Sequence, residues 1–148
     1  MDSVTTKSVD RELLSTPVAS VLGLFGGVGI AAVGMIFQPP QSTAILAALL
    51  AMIYGVYLGF ALLDGRTSAL TVESLFIAVG LTLTVCGSLY GPTWIAVGLL
   101  LHGLWDVLHH QRLSFAGAHT VPRWYVPFCA IADLLGATAI FVSVLLGG

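Results

Sequence analysis

The run His102-Gly103-Leu104-Trp105-Asp106-Val107-Leu108-His109-His110 is where this chain concentrates side chains that can do chemistry. On a helix turning about 100° per residue, His102, Asp106 and His109 fall within about 60° of one another. Two imidazoles and a carboxylate on one stripe form a donor set that suits Zn²⁺ or non-haem iron. Such a set leaves positions open for water, oxygen or substrate. In that assignment His102, Asp106 and His109 are metal ligands and His110 is a supporting one. Asp133, in the next apolar segment, would complete the set, orient an imidazole or act as base. Asp106 and Glu73 are further acid–base candidates. Two other readings fit the same residues. The cluster could move protons without a metal, or His102 and Asp133 could be a purely structural pair between helices. His109 to Arg112 could then be a helix end, where cations favour the negative dipole terminus.

Composition sets what must hold these residues. The chain has 148 residues, 57% hydrophobic and 8% charged, with a mean hydropathy of +1.01. A soluble domain carries about a quarter charged residues, so the expectation is an integral membrane protein. A net charge of −2 gives no basic face for nucleic acid. Five apolar segments, 18–37, 43–63, 69–90, 93–110 and 124–146, are each near the roughly 20 residues a span needs. They are separated by Gln38-Pro39-Pro40-Gln41, Asp64-Gly65-Arg66, Gly91-Pro92 and a polar loop over 111–123. The fold class expected is all-α, an integral membrane bundle of five transmembrane helices. Residues 1–17 are a polar arm without signal-peptide pattern, and 18–148 form one domain. Cys86 and Cys129 stand alone in apolar runs and make no redox pair.

All five basic residues, Lys7, Arg11, Arg66, Arg112 and Arg123, then fall on one side. The positive-inside rule makes that side cytoplasmic, with the N-terminus inside, the C-terminus outside and the protein in the cell inner membrane. Counting a rise of about 1.5 Å per residue, His102 lies roughly 12 Å and Asp133 roughly 13–14 Å from the cytoplasmic end. Asp106 and Glu73 lie roughly 6 Å in. Glu73 shares a small, polar face with Gly80, Thr84 and Gly87, and Tyr57 shares one with Asp64. Together these stripes would line a cavity open to the cytoplasm or the inner leaflet. Trp105, Tyr57 and Tyr125 are the substrate contacts expected there, while Arg112 and Arg123 bracket the loop above and could hold a phosphate headgroup. Gly23 and Gly27 are a small-x-x-x-small pair, for packing inside the bundle or for a homodimer through the first helix.

With Trp before Asp106 and with Trp124-Tyr125 and Asp133 following, the run resembles small prokaryotic polytopic membrane proteins, a resemblance that implies no activity. Asp106-Val-Leu-His109-His110 is also similar to the H-x2-H-H box of membrane fatty-acid desaturases and hydroxylases, with Asp in the first place. Those enzymes use many more histidines than the four here, so the likeness implies a smaller site than theirs. Alkaline-ceramidase-like zinc hydrolases and sterol-isomerase-type bundles are analogies of chemistry, with and without metal. The leading expectation is a metal-dependent membrane enzyme acting on a lipid or other apolar substrate, by hydrolysis or oxidation. The alternatives are a small proton-coupled carrier, a metal-free isomerase and a non-catalytic membrane subunit.

Overall fold

The computed structural model describes residues 16–110 and 117–147, with the side chain of His110 outside that description. Five helices account for nearly all of it: α1 Thr16–Ile36, α2 Gln41–Asp64, α3 Thr67–Tyr90, α4 Thr93–His110 and α5 Tyr125–Leu146. No strand occurs among the described residues. Each helix stops where the backbone is forced to turn. Gly65 closes α2 in the left-handed conformation at φ 74°, returning its N–H to the Ala61 carbonyl, and Gly91 ends α3 at φ 112°. Four helices (α1, α2, α3 and α5) are long and apolar enough to cross a membrane. α4 is the shorter one at 18 residues, because Gly91-Pro92 fixes its start close to the polar loop.

The helices form a ring in the order α1, α5, α4, α3, α2, closed by a lighter contact of α1 with α2. α4 touches α3, α5 and, across the ring, α2. The outward faces are apolar: Phe25, Met35, Leu63 and Leu75 are all at least 65% exposed. In water such faces would aggregate; in a bilayer they meet lipid tails. Two glycine contacts set the spacing inside. A Cβ at Gly27 would come within 2.6 Å of Leu135 Cβ, and one at Gly23 would strike the Phe128 carbonyl, so α1 lies backbone-close on α5. The small-residue pair is therefore used within the chain. Gly29 and Gly34 face open space on the same helix.

Tyr54 does the equivalent work in the middle. Its ring lies over Gly80 of α3, and its hydroxyl donates to the Gly98 carbonyl of α4 at 2.9 Å. One side chain thus fixes α2 against both neighbours. Leu50, Ile95, Leu99, Ala137 and Ile140 pack the core towards one end, and Tyr57, Tyr125 and Cys129 towards the other. The polar residues lie at the junction of the two. Arg66, after α2, donates to the Gly117 carbonyl at 2.8 Å, so the loops carrying Arg66 and Arg123 meet at one end of the bundle. Lys7, Arg11 and Arg112 lie outside the described residues.

Candidate metal centre

His102 and Asp106 sit one turn apart on α4, and α5 brings Asp133 against them. The helices are close here: a Cβ on Gly103 would lie in ordinary contact with Asp133 Cβ, at 3.4 Å. His102 Nδ1 lies 2.7 Å from Asp133 Oδ2 and 3.5 Å from Asp106 Oδ2. The Tyr57 hydroxyl donates to Asp106 Oδ1 at 2.5 Å. His102, Asp106 and Tyr57 are 0% exposed and Asp133 is 1% exposed. Around the imidazole stand the rings of Tyr54, Tyr57 and Phe76, with centroids at 5.0, 5.4 and 6.0 Å.

Each of the three residues has one polar atom engaged and one bare. His102 Nε2, Asp106 Oδ2 and Asp133 Oδ1 are buried without a hydrogen-bond partner. Buried polar groups are nearly always satisfied, so three exceptions in one cluster make it a candidate binding place. One donor atom from each residue lies within 4.8 Å of the other two, so the group could hold a metal ion. With Asp133 accepting at Nδ1, the imidazole proton belongs there and the Nε2 lone pair is left open, the carboxylate–histidine arrangement common behind metal ligands.

His109 is not part of this group, which corrects the ligand set expected from the stripe. Seven residues along a helix is a rise of about 10 Å, and at that level the His109 ring is engaged by other partners. His109 instead meets Glu73, Nε2 to Oε1 at 2.9 Å, while its Nδ1 lies 3.0 Å from the Trp105 carbonyl. Glu73 also accepts from Trp105 Nε1 at 3.0 Å and from the Ala118 backbone N–H at 2.9 Å. Gly117, at φ 88°, comes so close to Glu73 Oε1 that a side chain would collide with it. Glu73 and His109 therefore form a second, satisfied pair, one turn nearer the loop end.

The expected substrate contacts divide. Trp105 and Tyr57 donate their only polar hydrogens to Glu73 and Asp106, so both orient carboxylates rather than face a ligand. Trp105 also stacks on Phe76 at 4.3 Å and 13°. Tyr125 is 8% exposed among Tyr57, Phe60, Trp124 and Phe128. Arg123 is exposed; Arg112 and the His110 side chain lie outside the described residues. Asp64, placed on the Tyr57 face by spacing alone, turns out to the loops. It pairs with Arg66 and accepts from the His119 N–H at 2.7 Å. The hydrogen bond from that carboxylate raises the pKa of the Arg66 guanidinium further above its ordinary value.

Three residues escaped the sequence reading. Tyr54 precedes Tyr57 by one helical turn and Phe76 follows Glu73 by one, so the i, i+3 spacing was the signal available for both. Ala118 could not have been found, because it acts through its backbone N–H.

Neither the curated proteins nor the solved structures contain a match to the chain. A family model does match, over residues 18–145, which takes in α2, α3 and α4 whole and nearly all of α1 and α5. The chain accordingly belongs to DUF6010, a family of unknown function.

Proposed function

We propose that this protein is a membrane-embedded, metal-dependent enzyme whose divalent cation, zinc or iron, is held by His102, Asp106 and Asp133. The observation that carries the reading is the trio of bare, buried polar atoms on those residues. Charge supports it. No Lys or Arg lies in any of the five helices, and among the described residues only His102 is placed to balance the two buried carboxylates. An unpaired buried ion costs several kcal/mol. A divalent cation with two carboxylates and a neutral imidazole sums to zero.

Distances support it as well. Donors about 2.0–2.2 Å from a tetrahedral ion stand about 3.3–3.6 Å apart. For ligation through His102 Nδ1, which would have to give up the proton it shares with Asp133, the 3.5 Å to Asp106 Oδ2 already fits. The 2.7 Å contact to Asp133 would open by about 0.6–0.9 Å to the tetrahedral spacing. Ligation through Nε2 would instead leave the Asp133 bond in place. Three protein ligands leave a position where a bound cation would lower the pKa of water or polarise a substrate.

The substrate in this reading is a lipid or another apolar molecule, since the cluster is enclosed by aromatic rings within an apolar bundle. The reaction is hydrolysis or oxidation. The bundle spans the inner membrane five times, with the loops of Arg66 and Arg123 in the cytoplasm. Elemental mass spectrometry on detergent-purified protein tests the reading. Near-stoichiometric metal, lost in His102→Ala and Asp133→Ala, supports it, and zinc or iron then selects the assay. Wild-type protein that takes up no metal, kept free of chelators and dialysed against both ions, would refute it.

One observation favours a second reading, metal-free acid–base chemistry or a proton relay. Tyr57, Asp106, His102 and Asp133 form a continuous chain of polar contacts of 2.5, 3.5 and 2.7 Å. On that reading His102→Ala would abolish pH-dependent turnover or flux in a protein that never held metal.

A further inference from the structure

We infer that Tyr57 is the positioning residue of this centre: its phenol hydroxyl holds Asp106 so that Oδ2, and not Oδ1, is offered to the cation. The inference rests on the metal reading above and adds to it a residue with a specific task. A carboxylate at the end of a short side chain can rotate and present either oxygen. Asp106 is not free to do so, because Oδ1 accepts the Tyr57 hydrogen at 2.5 Å. Oδ2 has no hydrogen-bond partner and lies 3.5 Å from His102 Nδ1. The phenol does for Asp106 what the 2.7 Å contact with His102 does for Asp133: one oxygen is held and the other left bare.

The donor is itself closely packed. Tyr57 is 0% exposed, and its ring is met by Phe60 on its own helix, Phe76 of α3, His109 of α4 and Tyr125 of α5. A ring wedged by four helices delivers its hydroxyl to one place. Outer hydrogen bonds of this kind fix ligand orientation, and their loss costs about 10–100-fold in metal affinity.

Tyr54 supplies the control. It lies one turn away on the same helix, is equally buried, and has its ring 5.0 Å from His102. Its hydroxyl, however, goes to the Gly98 carbonyl and not to the carboxylates. The experiment compares Tyr57→Phe with Tyr54→Phe, reading Co²⁺ affinity by competition against a chelator and the visible spectrum of the bound Co²⁺. The melting temperature is measured alongside. Both variants lose one buried hydrogen bond, so both should melt earlier.

Only Tyr57→Phe should weaken Co²⁺ binding, by about 10–100-fold, with an altered ligand-field spectrum. In an Asp106→Ala background the same Tyr57→Phe change should cost nothing further, because its target is gone. Wild-type affinity in Tyr57→Phe overturns the inference alone. Wild-type protein that binds no Co²⁺ overturns the metal reading and the inference with it. If Tyr57→Phe does not elute as one species, 3-fluorotyrosine at position 57 keeps the ring and alters only the donor. Affinity should then change there and not on the same replacement of Tyr54; no change at either overturns the inference.

Discussion

Replacing Glu73 tests whether the second polar pair is the structural clasp its geometry implies. Glu73 is 0% exposed and accepts from three donors: Trp105 Nε1, His109 Nε2 and the Ala118 N–H. Glu73→Ala leaves all three without a partner. Double-mutant cycles within membranes average about 0.6 kcal/mol per hydrogen bond, so three lost bonds set a floor of about 2 kcal/mol. A buried donor left unsatisfied costs about 1–3 kcal/mol, and breaking a buried ion pair about 3–5. The expected loss is therefore about 2–5 kcal/mol, a large part of the roughly 5–15 kcal/mol that holds a typical fold. Glu73→Gln keeps one acceptor but turns an amide N–H towards a donor, and should lose less. The assay is unfolding in mixed detergent–SDS micelles followed by circular dichroism. His109→Ala combined with Glu73→Ala should fall short of additivity by more than about 1 kcal/mol. A loss below about 1 kcal/mol in Glu73→Ala, or simple additivity, would refute the clasp.

Other substitutions have equally definite outcomes. Gly27→Ala would press its Cβ onto Leu135 at 2.6 Å and should destabilise by about 1–3 kcal/mol in the same assay, as overpacking does. Gly29→Ala meets nothing within 4 Å and should stay within about 0.5 kcal/mol of wild type. Gly80→Ala collides with the Tyr54 ring and should displace α2 from α3, read as a lowered melting temperature at least as large as that of Gly27→Ala. Thr120→Val removes the 2.6 Å bond from Thr120 to the Phe60 carbonyl, one of the ties of the 117–120 strap across the ends of α2 and α3. It should raise protease sensitivity of that loop without lowering metal content.

Much of the architecture was legible because lipid imposes strict rules. The expected apolar segments begin and end within two residues of the five helices, since proline and glycine clusters stop a helix regardless of tertiary context. The meeting of His102 with Asp133 followed from counting rise along two antiparallel neighbours joined by one loop. Helix α4 is the one whose length alone does not make it a span. What sequence could not supply was partner choice. His109 shares an angle with His102, yet its axial offset delivers it to Glu73. Asp64 shares an angle with Tyr57, yet it lies at the last residue of α2, where Arg66 and the His119 N–H reach it first. The task of Tyr57 was hidden for another reason, because a buried tyrosine declares itself only through the atom its hydroxyl meets. Backbone donors such as Ala118 leave no trace in residue types at all.

The central claim is that His102, Asp106 and Asp133 hold one cation, and X-ray absorption on zinc-loaded protein tests it most directly. A first shell of nitrogen and oxygen at about 2.0–2.2 Å, with outer-shell scattering from a single imidazole, is the predicted result. Scattering from two imidazoles would contradict it by returning His109 or His110 to the ligand set, and a shell unchanged in His102→Ala would place the metal elsewhere.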